Sequence, residues 1–136
     1  MKNALMLRAL LLVAGAFGVG VGCGMLATPV AFQASAGIGL GSDVNLLNEM
    51  RASGGAALGA GALIFLGAFF AALRHTANIV AATLYLSYGA SRLIGMCVDG
   101  MPNAALLAVT AFEIAMGALC ALALLRWGAP MTRDAA

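Results

Sequence analysis

Five polar side chains lie in the second half of a very apolar chain, and their types suit anion binding or proton handling. They are Tyr85, Tyr88, Arg92, Asp99 and Glu113. A guanidinium can hold a carboxylate or a phosphate through parallel hydrogen bonds, whereas a carboxylate inside a membrane often marks a proton path. Tyrosine adds an apolar ring with a polar tip. Which chemistry applies depends on the helices that carry these side chains.

The composition requires that most of the chain be surrounded by lipid. Of its 136 residues, 63% are hydrophobic and 9% are charged, and the mean hydropathy is +1.03. One small water-soluble core cannot bury so much apolar surface. The charged residues divide the chain into four apolar stretches of roughly the 20 residues that a membrane-spanning helix needs. We therefore predict an all-α membrane protein, in which a single domain forms an antiparallel bundle of four transmembrane helices. The predicted spans cover about residues 9–31, 52–73, 76–98 and 103–126.

The basic residues predict the orientation of these spans. With the N-terminus inside, the cytoplasmic set is Lys2, Arg8, Arg74, Arg126 and Arg133, and the outer set is Arg51 and Arg92. Cytoplasmic loops carry an excess of Lys and Arg, so an N-in/C-in topology is favoured. The alternative is a signal peptide cleaved near Ala34–Ala36. Its apolar run is long for that purpose and glycine-rich like a packed helix.

Arg92 must lie inside the membrane, because residues 76–91 alone would cover only about 24 Å of a roughly 30 Å core. A polar stripe with a seven-residue period runs along this span: Asn78, Tyr85, Arg92 and Asp99. A second polar face lies on the fourth span: Asn103, Thr110, Glu113, Gly117 and Cys120. Measured from the turn near Gly100, Arg92 and Glu113 differ in depth by about 7.5 Å. We predict that they pair, since an unpaired charge there costs about 3 kcal/mol.

The outer end of the second span brings further polar groups towards this pair. Arg51 can reach Asp43, Glu49 or Asp99, and Asn48 lies one turn before it. We predict a polar pocket that opens to the outer face, with Arg51 and Asp99 at its mouth and Glu113 at its floor. The candidate ligand-binding residues are Asn48, Arg51, Tyr85, Tyr88, Arg92, Asp99 and Glu113.

Small residues at three- or four-residue spacing predict close helix packing. The candidates are Gly18 with Gly22, Gly20 with Gly24, Gly55 with Gly59, and Ala111, Ala115 and Ala118. Tight turns are predicted at Arg74–His75 and at Asp99–Asn103. Ser42 is the predicted N-cap of a short interfacial segment, residues 43–50. The three cysteines, Cys23, Cys97 and Cys120, are interpreted as small apolar helix residues, and no metal or cofactor is expected.

Two segments of the chain resemble a family of small bacterial integral-membrane proteins, domain of unknown function 4345. They are NEMRASGGAALGAG, residues 48–61, and SRLIGMCVDGMPNAALLAVTAFEIAMG, residues 91–117. The positions that carry the resemblance are Asn48, Arg51, Gly54, Gly55, Arg92, Leu93, Asp99, Gly100, Pro102 and Glu113. Ser53 stands where the family often has an aromatic residue. The resemblance implies a four-span protein, which we expect in the bacterial cytoplasmic (inner) membrane, and it supplies no reaction.

The function predicted from these residues is a membrane-embedded binding or scaffold protein that holds a lipid or small amphiphile in the polar pocket. Three alternatives stay open: a structural subunit of a homo-oligomer or larger membrane complex, a proton-linked transporter that uses Glu113, and an isomerase in which Glu113 acts with Tyr85 or Tyr88. An enzyme is the weakest of these, because His75 is the only histidine and lies far from the stripe. The net charge of +2 is spread over both faces and predicts no nucleic-acid partner.

Overall fold

The structure, a computed structural model, describes residues 2–127, and the side chains of residues 3–126. Five α-helices and one 3-10 turn follow one another: α1 Lys2–Ala27, α2 Pro29–Ser35, α3 Val44–Phe69, the 3-10 turn Ala71–Leu73, α4 Arg74–Asp99 and α5 Ala104–Trp127. All helices except α2 are long and apolar enough to cross a membrane. The prediction of an all-helical, four-span membrane protein is confirmed. Arg133, one of the basic residues used to predict the orientation, lies outside the described residues.

The four long helices form an antiparallel bundle built from two tight pairs. α1 packs along α3, α4 packs along α5, and the contact of α3 with α4 joins the two pairs. We call the end that holds the turn between α4 and α5 the Gly100 end, and the opposite end, where α4 begins, the Arg74 end. The end of α1 and the start of α3 also lie at the Gly100 end. The predicted polar pocket belongs to this end, because Arg51 lies near the start of α3 and Asp99 is the last residue of α4.

Glycines let α1 and α3 approach each other at backbone distance. Gly22 lies directly against the backbone of Leu58, and Gly18 lies against Gly61. Because lipid removes most of the hydrophobic drive between helices, close backbone contact supplies much of the packing energy. The prediction that Gly18 and Gly22 mediate packing is confirmed. The predicted contacts of Gly20, Gly55 and Gly59 are wrong, since nothing lies within 4 Å of a Cβ atom placed at these positions. Gly24 does pack closely, but against Phe32 of the short helix α2.

The second pair, α4 with α5, also packs through glycine. Gly89 lies against Ile114, and Gly117 lies against Leu86. The predicted polar face of α5 is turned inward, because Thr110, Glu113, Gly117 and Cys120 are all buried. The prediction for the small residues Ala111, Ala115 and Ala118 is wrong, since all three are exposed. They lie on the other side of α5 because each helical residue advances the face by about 100°.

Two helix boundaries in the structure differ from the predicted ones. Residues 44–50 are the first turns of α3 rather than a separate interfacial segment, and Asp43 caps the helix in place of Ser42 by accepting from the N–H groups of Asn45 and Leu46. A carboxylate at this position also suits the positive end of the helix dipole. The short helix lies earlier, in α2, where Pro29 occupies a first-turn position.

The two predicted turns differ in outcome. Arg74 and His75 are already helical, because the 3-10 turn before them makes the reversal, so this prediction is wrong. The turn Asp99–Asn103 is confirmed, and Gly100 has a φ of 99°, which an L side chain rarely adopts.

Replacing Gly61 by alanine should lower the free energy of unfolding by about 2 kcal/mol, the usual cost of overpacking. The added methyl group would lie 2.5 Å from the backbone nitrogen of Val19. Gly59→Ala is the matched control, since nothing lies within 4 Å of that position. Thermal unfolding of both variants in lipid nanodiscs checks this prediction. Equal stability of the two variants would contradict the close α1–α3 contact.

Candidate functional site at the Gly100 end

An ion pair between α4 and α5 lies at the centre of the predicted site. The Nε of Arg92 donates to Oε2 of Glu113 at 2.8 Å. The Glu113 side chain is 6% exposed, whereas that of Arg92 is 33% exposed. The predicted pairing of these two residues is therefore confirmed. Among the described residues it is the only ion pair. It links α4 to α5 at a point about two and a half turns into α5.

Only one edge of the Arg92 guanidinium is used by this pair. Within residues 2–127, Nη1 and Nη2 make no hydrogen bond, and neither atom is enclosed by protein. A guanidinium has five N–H donors in a rigid plane. The bond from Nε to Glu113 thus fixes the Arg92 guanidinium in place. The N–H groups of Nη1 and Nη2 stay open to an anion beside the bundle.

Tyr85 lies in the core beneath the ion pair and has a packing role. Its hydroxyl donates to the carbonyl oxygen of Ala14 in α1 at 2.5 Å. Its ring packs edge-on to Phe112, with the ring centroids 6.0 Å apart, and Phe17 packs on Phe112 at 4.4 Å. Tyr85 is 3% exposed. The side chain therefore ties α4 to α1 and is not open to a ligand.

Arg51 supports the end of α1. Pro29 has no N–H to donate back into α1, and the helical run breaks between α1 and α2. The break leaves carbonyl groups at the end of α1 without helical partners. Nη1 of Arg51 donates to the carbonyl oxygen of Leu26, and it lies 3.4 Å from that of Ala27. A cation there also suits the negative end of the helix dipole. Arg51 thus acts as a side-chain cap from α3.

The structure does not bring the seven candidate residues into one pocket. Arg92 and Glu113 meet and Tyr85 lies below them, but Asn48 and Asp99 are exposed near the helix ends. Tyr88 is 40% exposed and lines a shallow groove on the outer face of α4, with Thr83, Leu84 and Ser87. All three cysteines are free, with Cys23 and Cys97 exposed and Cys120 buried.

Asn103 is a further residue of this end, and its contacts went unpredicted. Its Oδ1 accepts from the N–H of Leu106 in the first turn of α5, and its Nδ2 donates to the carbonyl oxygen of Ala36 after α2, both at ordinary distances of 3.0 and 2.8 Å. The contact with Leu106, which caps α5, could have been predicted from the sequence, since Asn103 follows Pro102 just before an apolar run. The bridge to Ala36 depends on the tertiary fold alone.

Tyr85→Phe should lower the free energy of unfolding by about 1 kcal/mol, because it removes one buried hydrogen bond while keeping the ring. Tyr88→Phe is the control, because its hydroxyl has no partner among the described residues. Chemical unfolding in mixed micelles measures both. A larger loss in the Tyr88 variant would contradict the packing role given to Tyr85.

The comparisons with known proteins agree with the arrangement of spans. Residues 6–124 match the family described as Domain of unknown function (DUF4345). No curated protein and no solved structure matches the chain. The matched range holds the second and third spans whole and most of the first and fourth, together with the cap from Arg51 and the Arg92–Glu113 pair. The chain is therefore a multi-pass membrane protein that belongs to the DUF4345 family.

Proposed function

We propose that the protein is a membrane-embedded binding protein that holds the anionic head group of a lipid or small amphiphile beside Arg92. The observation that carries the proposal is the half-used guanidinium. Nε is held by the buried carboxylate of Glu113, while the outer edge of the guanidinium is open. With the N-in/C-in orientation, this edge faces the outer leaflet of the cytoplasmic membrane.

Preorganisation explains how such a site gains affinity. A free arginine side chain loses rotamer freedom when it binds an anion. Here the bond from Nε to Glu113 already fixes the guanidinium, so less of that entropy is lost on binding. The edge formed by Nη1 and Nη2 suits the paired oxygens of a phosphate or carboxylate. Because this edge excludes Nε, the bound anion and the Glu113 carboxylate contact different sides of the same cation.

Binding accounts for these side chains better than acid–base chemistry does. The Tyr85 hydroxyl is donated to the Ala14 carbonyl, which leaves it unable to serve as the acid partner of Glu113. Tyr88 lines a groove formed by α4 alone, on another face. Glu113 itself is buried and bonded to Arg92. The arrangement therefore holds a charge in place and supplies no second group to move a proton.

Native mass spectrometry of the protein in phosphatidylglycerol, with phosphatidylcholine as the zwitterionic comparison, tests the proposal. The informative variant is the double substitution Arg92→Gln with Glu113→Gln. It leaves the net charge unchanged and keeps a neutral pair that can form a hydrogen bond between α4 and α5. We expect this variant to retain phosphatidylglycerol about tenfold more weakly than the wild type, since a charge-assisted hydrogen bond is lost.

Arg8→Gln is the control, because it removes an exposed charge at the Arg74 end and leaves the Arg92 fork intact. Its loss of phosphatidylglycerol should be much smaller. If the double variant retains as many phosphatidylglycerol molecules as the wild type, and retains them as tightly, Arg92 does not bind the head group and the proposal is wrong.

A further inference from the structure

A second polar cleft lies at the Arg74 end, far from the ion pair. It has a volume of about 190 Å³ and is formed where α1 begins, α4 begins and α5 ends. Its polar lining consists of Arg74, His75 and Asn78, and its apolar lining consists of Leu7, Ala71, Ala123 and Leu124. Arg74 and Arg92 are 18 residues apart on one helix, which is about 27 Å. The two sites therefore lie near opposite faces of the membrane.

Three polar atoms of the residues that line this cleft lack partners among the described residues. Nε and Nη2 of Arg74 and Oδ1 of Asn78 are buried without a hydrogen bond to any described residue. Asn78 is only 2% exposed. Leaving a buried polar atom unpaired is costly, and more so when the group is charged. Native structures rarely tolerate such groups unless something outside the chain satisfies them.

The charges of the described residues favour an anionic partner at this cleft. The described acidic residues are Asp43, Glu49, Asp99 and Glu113, and each of them lies in the half of the bundle nearer the Gly100 end. Asp134 lies outside the described residues. The Arg74 end carries Arg8, Arg74 and Arg126. The first turn of α4 has no acidic residue and no side-chain cap, so its positive dipole end adds to this charge.

We propose that the Arg74 cleft binds a phosphate-bearing anion, and that its apolar walls favour the head group of an acidic phospholipid over free phosphate. A rotation of the Arg74 side chain brings the buried Nε and Nη2 to the cleft, where these two N–H groups can bind one phosphate side by side. Asn78 presents its NH₂ group to the same phosphate after a half-turn of the amide. Leu7 and Leu124 then lie along the first carbons of the acyl chains.

The depth of the cleft agrees with this ligand. Arg74 is the first residue of α4, at the end of a span, where a head group lies. In the N-in/C-in orientation this end faces the cytoplasmic leaflet, whose acidic lipids attract basic side chains. A basic pocket between transmembrane helices on that side is a suitable site for a lipid phosphate.

Three variants test this site by native mass spectrometry with phosphatidylglycerol and with phosphatidylcholine. Arg74→Gln and Asn78→Leu should each weaken phosphatidylglycerol retention by about tenfold, as expected for the loss of a charge-assisted or buried hydrogen bond. Arg8→Gln removes the same charge from the same end, but from an exposed position. It should change retention less than twofold if the effect comes from the cleft. The double variant Arg92→Gln with Glu113→Gln should leave phosphatidylglycerol binding at the Arg74 cleft unchanged. The proposals for the two sites can therefore be tested separately.

Thermal unfolding in phospholipid-free dodecyl maltoside, with and without inorganic phosphate, distinguishes the two sources of the anion. Protection by inorganic phosphate that disappears in Arg74→Gln supports the cleft with a soluble ligand. Asn78→Leu also separates a site from a mere packing defect. A packing defect would make this variant more stable and leave phosphatidylglycerol retention unchanged, which would overturn the proposal. Equal losses in Arg8→Gln and Arg74→Gln, or no dependence on Arg74 in either medium, would overturn it as well.

Discussion

An arginine in the hydrocarbon layer must be paired, and much of this bundle is arranged around that requirement. Arg92 meets Glu113 only if α4 and α5 pack with one register and one rotation, because the bond of 2.8 Å allows little sliding. The same rotation buries Asn78 and Tyr85 on α4 and Thr110 and Cys120 on α5. The ion pair therefore acts on the whole length of the α4–α5 interface, well beyond the two residues that form it.

The contact of α1 with α3 follows another rule, since no ion pair among the described residues joins these two helices and the contact depends on glycine. Gly18 and Gly61 bring the two backbones together, and lipid leaves little other driving force. Two polar side chains from other helices bind carbonyl oxygens of α1. Arg51 caps the end of α1, and Tyr85 reaches from α4 to the Ala14 carbonyl. Arg51 and Tyr85 therefore serve the packing of the bundle.

The sequence was sufficient for features that depend on one helix or on a strong energetic penalty. Apolar length predicts the four spans, and the cost of an unpaired charge predicts the pairing of Arg92 with Glu113. The glycine contacts were predictable only in part. A four-residue spacing, such as that of Gly55 and Gly59, does not reveal which face of the helix meets a neighbouring helix. The cap from Arg51 was missed because the carbonyl groups that it binds become free only when Pro29 breaks α1. The Arg74 cleft was missed because three helix ends form it.

A double-mutant cycle between Arg92 and Glu113 tests the central claim most directly. The free energy of unfolding would be measured in nanodiscs for wild type, Arg92→Gln, Glu113→Gln and the double variant. Our account predicts that Glu113→Gln alone costs about 3 kcal/mol, because it leaves a cation in the membrane without its partner. The double variant should recover much of that loss, with a coupling energy of about 2 kcal/mol. Strictly additive effects, or a Glu113→Gln variant as stable as wild type, would contradict the claim that this pair sets the register of the bundle.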